Sequence, residues 1–253
     1  MNKIIFITGA TSGIGKATAE IFAKNGANLV LTGRRKEKLS KIANSLTNTY
    51  NVEVLPLCFD VSKKQEVTNA IVSLPEKWQS IDVLVNNAGL ALGLDKIQEG
   101  NVRDWDTMID TNVKGLLYVS HEIIPLLIKN KKGHIINIGS TAARAIYEKG
   151  NVYCATKFAV DALSKTMRVD LLEHQIKVTQ ILPGAAETEF SNVRFKGDNN
   201  KADSVYKGYE PLTAEDIADT IYYVTTLPPH VCINELEITA LAQANSNYFY
   251  KSE

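Results

Sequence analysis

The sequence has few cysteines, few histidines and no excess of either charge. Its three cysteines, Cys58, Cys154 and Cys232, are far apart and odd in number, so they form neither a disulfide framework nor the ligand spacing of a metal site. The four histidines are equally scattered, and we expect no bound metal. Because 28 basic residues balance 28 acidic ones, the composition gives no reason to expect a nucleic acid or an anionic membrane as a partner.

Long hydrophobic runs are missing as well. No apolar stretch approaches the roughly 18 residues that a membrane-spanning helix needs. The first apolar run, IIFI, is too short for the core of a signal peptide. We therefore expect a soluble, cytoplasmic protein. Its 253 residues are enough to bury a core without disulfides, as one large α/β domain or two small ones.

Short runs rich in β-branched residues alternate with helical patterns along most of the chain. The predicted strands are residues 3–8, 27–32, 52–59, 81–88, 134–139, 177–182 and 234–239. Apolar residues recur at helical spacing in residues 16–26, 37–46 and 64–74. This alternation favours a single α/β domain over residues 1–253, with a parallel sheet and helices on both faces.

One polar stretch, at about residues 190–212, interrupts this alternation between a strand and a helix. Loops of this length inside a compact domain are usually functional or disordered. We interpret the stretch as a lid that covers the substrate. The alternative is a flexible insertion without a role in the site.

A glycine-rich turn, TGATSGIG, follows the first predicted strand. Its glycines remove Cβ atoms where the turn is tight and a phosphate must approach the backbone. The helix that follows points free N–H groups and its positive end at that phosphate. The glycine pattern alone also fits an ordinary tight turn, but its place between a strand and a helix predicts a dinucleotide site. The predicted contacts are Gly9, Thr11, Ser12, Gly13, Ile14 and Gly15.

The end of the second strand indicates which dinucleotide is bound. NAD-binding folds usually carry an acidic residue about 20 residues after the glycine-rich turn. Here Arg34 and Arg35 stand at that place, and the next acidic residue after them is Glu37. Guanidinium groups can bind a 2′-phosphate through paired, charge-assisted hydrogen bonds. We therefore predict NADP(H) rather than NAD(H), the alternative being that both arginines simply begin a solvated helix.

Tyr153 and Lys157 lie four residues apart in a strongly helical pattern, so their side chains share one helix face. An ammonium group beside a phenol stabilises the phenolate, so we expect a lowered pKa for Tyr153. Such a tyrosine can act as a proton donor and acceptor near neutral pH. A Tyr-x-x-x-Lys pair is also common by chance, and it carries weight only together with other motifs.

Six ordered motifs supply that context. They are TGATSGIG, NNAG at 86–89, TNVKG with Asn112, INIGS with Ser140, YCATK at 153–157 and PGAAET at 183–188. In order and spacing they resemble the short-chain dehydrogenase/reductase family, over essentially the whole chain. The resemblance implies an oxidoreductase with one doubly wound Rossmann-type domain and a seven-stranded parallel sheet. Longer segments such as NNAGLALG and TEFSNVRFKGD are similar to one branch, the NADP-dependent 3-hydroxy acid dehydrogenases.

The resemblance also implies roles for single residues. Tyr153 is implied as the general acid/base, and Lys157 as the residue that lowers its pKa and binds the nicotinamide ribose. Ser140 is implied to hold and polarise the substrate oxygen, and Asn112 to keep a water for proton relay. Tyr153 and Lys157 are also implied cofactor contacts. Further implied cofactor contacts are Asp60, Val61, Asn87, Ala88, Gly89, Pro183, Gly184 and Thr188.

The same branch implies a short 3-hydroxy acid as substrate, such as L-serine, L-allo-threonine or 3-hydroxypropionate with its partner malonic semialdehyde. A carboxylate in a closed site needs a cation. The lid offers Arg194 beside Ser140 and Tyr153 as a substrate contact, with Lys196 as a second candidate. The alternative is that both are solvated lid charges.

Two other functions remain open on the sequence alone. The first is an NADPH-dependent reductase of neutral ketones, diketones or aldehydes that uses the same residues. The second is a non-catalytic NADP-binding sensor or interaction protein, against which the complete set of Asn112, Ser140, Tyr153 and Lys157 argues. The resemblance further implies a homotetramer, with a dimer as the alternative.

Overall fold

Seven parallel strands form one sheet in the computed structural model, which describes residues 2–252. The strands are β1 (Ile4–Ile7), β2 (Asn28–Gly33), β3 (Val54–Cys58), β4 (Val83–Asn86), β5 (His134–Ile138), β6 (Lys177–Pro183) and β7 (Glu235–Ile238). Their order across the sheet is β3-β2-β1-β4-β5-β6-β7. Each overlaps a predicted strand, and the doubly wound Rossmann-type fold is confirmed. The ends of the predicted domain, residues 1 and 253, lie outside the described residues.

Helices connect the strands and cover both faces of the sheet. Those of the described residues are α1 (Gly13–Lys24), α2 (Lys36–Tyr50), α3 (Lys64–Val72), α4 (Val102–Ile109), α5 (Leu116–Asn130), α6 (Asn151–Asp170), α7 (Glu189–Arg194), α8 (Asn199–Ser204) and α9 (Ala214–Thr226). On one face α1, α2 and α9 contribute to the core through residues such as Phe22 and Ile221. On the other face α3, α5 and α6 contribute through residues such as Ile123 and Val160. Within residues 2–252, none of the helices has the length and apolarity to cross a membrane.

The central strand β1 is apolar along its whole length because both of its faces are covered. Ile5 and Phe6 are neighbours in β1, and both are fully buried. Ile5 packs in the core under α1, α2 and α9, whereas Phe6 packs in the core under α3, α5 and α6. Strands of parallel sheets therefore read as continuous hydrophobic runs rather than as alternating ones. This pattern explains why the strands could be located from the sequence.

The direction of winding reverses between the neighbouring strands β1 and β4, and ligands of such sheets bind beyond the carboxyl ends at this point. Thr8, the residue after β1, connects the two loops that diverge here. Its hydroxyl oxygen accepts hydrogen bonds from the backbone N–H groups of Asn87 and Ala88, each at 2.9 Å. The Asn87 side chain donates in return to the Thr8 carbonyl at 2.8 Å. The loops after β1 and β4 are thus fixed to each other.

The stretch predicted as a polar lid contains two short helices, α7 and α8, rather than irregular loop alone. Each begins at a side-chain cap. The Thr188 hydroxyl accepts from the Phe190 N–H at 3.2 Å, and the Asp198 carboxylate accepts from the Lys201 N–H at 3.1 Å. Such caps satisfy N–H groups that a helix start leaves unpaired. Polar helices of six residues have too little periodicity to be recognised in the sequence.

Candidate active site

A cleft of about 590 Å³ lies beyond the carboxyl ends of the strands. Its walls come from the glycine-rich turn, the loops after β2 to β6, the first turns of α6 and the lid helix α7. Ser140, Tyr153 and Lys157 line it, but Asn112 does not. Of the predicted cofactor contacts, all except Gly15 line the cleft. The structure therefore brings together residues that are up to about 180 positions apart in the sequence, from Gly9 to Thr188.

The glycine-rich turn has the geometry of a phosphate cradle. Gly9 and Gly13 have φ angles of +67° and +50°, a region that favours glycine. The helix α1 begins at Gly13 with no acidic residue in its first turn and no side-chain cap, so its first N–H groups remain available to an anion. Gly15 has a different reason to be glycine, because a Cβ there would collide with the Asn87 side chain. These residues fit the diphosphate of a dinucleotide.

Arg35 points from the start of α2 towards the glycine-rich turn. Its guanidinium donates to the hydroxyls of Thr11 and Ser12 at 2.8 and 2.7 Å, and it pairs with the Glu189 carboxylate at 2.9 Å. The ammonium group of Lys38 lies 2.7 Å from the other oxygen of the same carboxylate. Lys38 was missed in the sequence analysis. Its signal is its place three residues after Arg35, on the same face of α2.

Arg34 points the other way, towards the loop after β3. Its side chain is 61% exposed and lies 3.6 Å from the Asp60 carboxylate. Burial works against ionisation of Asp60, but hydrogen bonds from Ser62 and the charge of Arg34 hold its pKa below the usual value. The two arginines therefore flank the end of β2 and leave a positively charged rim at the cleft. This rim fits a 2′-phosphate group.

Tyr153 and Lys157 lie one turn apart on α6, and both are buried. The Lys157 ammonium donates to the Ile138 carbonyl at 2.9 Å and lies 5.8 Å from the centre of the Tyr153 ring. Ser140 begins a short 3₁₀ turn, and its hydroxyl oxygen accepts from the Ala142 N–H at 3.1 Å. The Ser140 hydroxyl keeps its hydrogen for a second partner, which is the Tyr153 phenol or a ligand oxygen.

Burial is the main influence on both ionisable groups. It raises the pKa of Tyr153 well above the ordinary phenol value, although the Ser140 hydroxyl and the Arg194 charge oppose it. It lowers the pKa of Lys157 to about 8. The expected lowering of the tyrosine pKa is therefore wrong for this arrangement of the site. The physical reason is that the buried phenol is shielded from water, while the Lys157 ammonium is bonded to the Ile138 carbonyl.

Asn112 lies behind the cleft wall, in a π-helical turn (Asp110–Gly115) between α4 and α5. Its amide nitrogen donates to the Leu90 carbonyl at 2.8 Å and to the Thr156 hydroxyl at 3.0 Å, and its oxygen accepts from the Leu90 N–H at 2.8 Å. The side chain therefore ties the loop after β4 to α6. Turns of this kind are frequent at functional sites. The relay water that the family resemblance implies stays a prediction.

The two lid cations have different surroundings. Arg194 donates to the Tyr147 hydroxyl at 2.8 Å, and its guanidinium carbon lies 5.7 Å from the centre of the Tyr153 ring. Lys196 instead pairs with Asp104 at 2.7 Å, is more than half exposed and does not line the cleft. The structure thus keeps Arg194 as a candidate substrate contact, and the prediction of Lys196 as the second candidate is wrong.

Several cleft residues carried no recognisable signal in the sequence. The Phe190 ring lies 5.6 Å from that of Tyr153, edge to face, and Tyr147 lines the same region from the loop after β5. Gln243 and Phe249 reach the cleft from the last part of the chain. The Gln243 oxygen accepts from the Ala185 N–H at 2.8 Å. These positions depend on loop paths that hydrophobic periodicity does not describe.

The chain matches the model of the short chain dehydrogenase family over residues 3–199. It belongs to this family. The NADP-dependent 3-hydroxy acid dehydrogenase of Salmonella typhi is 46% identical over 242 residues, which are 95% of this chain and 96% of that relative. The serine 3-dehydrogenase of Agrobacterium fabrum is 43% identical over 248 residues, which are 98% of this chain and 98% of that relative.

A solved structure described as the closed form of serine dehydrogenase complexed with NADP⁺ is similar along the whole chain. Its TM-score is 0.91 at 43% sequence identity, and the match covers 99% of this chain and 100% of that one. The family predicted from the six motifs, and the similarity to its 3-hydroxy acid dehydrogenase branch, are both confirmed.

The buried Lys157 makes the stability of the fold depend on pH. Its pKa of about 8 is below the ordinary value of 10.5, so between these values the unfolded state binds more protons than the folded state, and stability rises with pH. Between about pH 7 and pH 10 we expect the wild type to gain about 2 kcal/mol over Lys157→Met. Urea unfolding of both proteins measures this difference. The exposed Lys41→Met is the control and should follow the wild type; a difference that stays constant with pH would contradict the assignment.

Proposed function

We propose that the protein is an NADP-dependent oxidoreductase that transfers a hydride between NADP(H) and a hydroxyl or carbonyl carbon of a short 3-hydroxy acid. L-Serine, L-allo-threonine and 3-hydroxypropionate with malonic semialdehyde are the candidate substrates. The observation that carries the proposal is the guanidinium of Arg194, 5.7 Å from the ring of Tyr153, in the cleft that Ser140 and Lys157 also line. A carboxylate bound at Arg194 places the neighbouring carbons of a short substrate at the tyrosine. The names of the relatives support the same substrate class.

NADP(H), when bound, accepts or supplies the hydride. The chain itself handles the proton and the orientation of the substrate. In oxidation, the Tyr153 phenolate takes the proton of the substrate alcohol, and in reduction the Tyr153 hydroxyl donates its proton to the carbonyl oxygen. The Ser140 hydroxyl donates a hydrogen bond to that oxygen, and the Ala142 N–H holds the serine in place. Arg194 holds the carboxylate through the paired bonds that a guanidinium group can make.

Lys157 has two properties that suit this chemistry. Its pKa of about 8 keeps the buried ammonium largely protonated at neutral pH. Its bond to the Ile138 carbonyl fixes the ammonium group one helical turn from Tyr153, 5.8 Å from the centre of the tyrosine ring. Asn112 is a positioning residue for Tyr153, because its three hydrogen bonds join the loop after β4 to the helix that carries the tyrosine.

A reductase of neutral ketones is the second candidate function. It is favoured by the apolar side chains of Leu94, Phe190 and Val193 in the cleft wall, which would accommodate a substrate without charge. A non-catalytic NADP-binding protein remains the candidate of a different class. Turnover of NADPH with a panel of aldehydes, ketones and 3-oxo acids separates the three functions, since only the first predicts a preference for the carboxylate.

Removal of the tyrosine hydroxyl tests the catalytic assignment. Tyr153→Phe should lose activity by about 100- to 10,000-fold, because a positioned proton donor contributes about that much to the rate. Its affinity for NADPH, measured by fluorescence titration, should stay within about threefold of the wild type. Cys154→Ala, next to it on α6, is the matched control and should remain active. More than a tenth of wild-type activity in Tyr153→Phe would reject the assignment.

Removal of the lid arginine tests the substrate class. Arg194→Ala should raise KM for L-serine or L-allo-threonine by about ten- to hundredfold more than for an uncharged alcohol of similar size, the range for a lost hydrogen bond to a charged group. Lys196→Ala, which removes a lid cation outside the cleft, serves as the control for lid stability. Equal losses on charged and neutral substrates would exclude Arg194 as the carboxylate ligand and favour the neutral-ketone reductase.

We further propose a cytoplasmic homotetramer, with a dimer as the alternative. Exposed apolar side chains on two neighbouring helices support an association between copies: Leu117 on α5, and Phe158 and Val169 on α6. Of the aromatic residues near the end of the chain, Tyr248 and Tyr250 are exposed, whereas Phe249 packs on Tyr209 with ring centres 5.3 Å apart. Light scattering at micromolar concentration gives the mass, and a monomer would contradict the proposal.

A further inference from the structure

The lid is joined to the cations at the start of α2 by one side chain. Glu189 is the first residue of the lid helix α7, and its carboxylate oxygens lie 2.9 Å from Arg35 and 2.7 Å from Lys38. All three side chains are between 41 and 46% exposed; Arg35 and Glu189 line the cleft, and Lys38 lies beside them at its edge. Arg35 also donates to Thr11 and Ser12 of the glycine-rich turn. The pairing thus connects the lid, the turn and α2.

The contact of Glu189 with these cations is not explained by a capping role at the start of α7. Thr188 already caps α7, and the carboxylate of Glu189 reaches away from the helix to residues that lie about 150 positions earlier. Two bonded cations hold the pKa of Glu189 at about 2, against a raising effect of burial. Glu187 lies in the same loop and is exposed, yet it forms no salt bridge within residues 2–252. The pairing is therefore specific to Glu189.

A 2′-phosphate carries more negative charge than a carboxylate and offers three oxygens to the same donors. It cannot share Arg35 and Lys38 with Glu189 without repulsion between the two anions. We propose that Glu189 competes with the 2′-phosphate of NADP(H) for Arg35 and Lys38, so that binding of the phosphate releases the lid helix from α2. This inference rests on the proposed preference for NADP(H) over NAD(H).

The release has a consequence at the other end of the same helix. α7 has six residues, so its two ends are about 9 Å apart at about 1.5 Å per residue. Its last residue, Arg194, is bonded to Tyr147 and lies over the Tyr153 ring. A lid helix that is released at Glu189 is free to adjust the position of Arg194. Occupation of the phosphate site is thereby coupled to the region that contacts the substrate, and NAD(H), which lacks the phosphate, does not produce this coupling.

The test uses 2′,5′-ADP, which carries the 2′-phosphate but no nicotinamide, with 5′-AMP as the matched probe that lacks only the 2′-phosphate. Calorimetric titration should show that Glu189→Gln binds 2′,5′-ADP about three- to tenfold more tightly than the wild type, a range that corresponds to the loss of partly exposed ion pairs. Affinity for 5′-AMP should stay within about twofold. Glu187→Gln removes the same charge from the same loop and should bind both probes as the wild type does.

Hydrogen exchange provides a readout that is independent of affinity. In the wild type, 2′,5′-ADP should speed exchange of the α7 amides and 5′-AMP should not. In Glu189→Gln the α7 amides should exchange fast with or without either probe. An unchanged or weaker affinity of Glu189→Gln for 2′,5′-ADP, or an α7 exchange rate that does not respond to it in the wild type, overturns the proposal.

The two proposals fail in different ways. If the wild type binds 2′,5′-ADP and 5′-AMP equally well, the preference for NADP(H) is wrong and the competition at Glu189 falls with it. If the wild type prefers 2′,5′-ADP but Glu189→Gln and Glu187→Gln both behave like the wild type, the preference for NADP(H) stands and only the role of Glu189 is overturned.

Discussion

The cleft depends on the contact between the loops after β1 and β4, where the winding of the sheet reverses. Backbone N–H groups beyond the strand ends need other hydrogen-bond partners than a neighbouring strand. The Thr8 hydroxyl oxygen accepts hydrogen bonds from two of them, those of Asn87 and Ala88. The same contact leaves no room for a Cβ at Gly15, because the Asn87 side chain is there. The glycine-rich turn is therefore held in a fixed position against β4. Because both of these loops line the cleft, this small buried contact fixes two of its walls against each other.

A second group of contacts holds α6 in that frame. Lys157 binds the Ile138 carbonyl at the end of β5, and Asn112 connects Leu90 to Thr156. Both contacts use polar side chains inside the protein, and such groups are costly to bury unless they are bonded. In return, these bonds hold Tyr153 in a fixed position. The tyrosine can act only if its oxygen stays at a fixed distance from the substrate. The lid, in contrast, is held by exposed ion pairs, and a competing anion can replace the carboxylate in such pairs.

The strands and the position of the site could be predicted from the sequence because they follow from local patterns. A strand such as β1 is a continuous apolar run, and ligand-binding loops of parallel sheets follow the strand ends. Lys38 could have been found from its spacing to Arg35. Glu189 could not, because no pattern relates it to cations about 150 residues earlier. The separate surroundings of Arg194 and Lys196, and the raised pKa of Tyr153, also depend on three-dimensional burial that the spacing of residues does not encode.

The participation of Gln243 and Phe249 in the cleft wall bears on how the protein folds during synthesis. The glycine-rich turn is synthesised more than 200 residues before Gln243 and Phe249, which line the same cleft. A nascent chain that has made β1 to β5 lacks the strands β6 and β7, the lid and the segment that holds Ala185 through Gln243. Contacts between such distant segments form late, because closing a long loop costs conformational entropy before the favourable free energy of the contacts is gained. A chain that stops before Gln243 therefore lacks the hydrogen bond that holds Ala185 at the cleft.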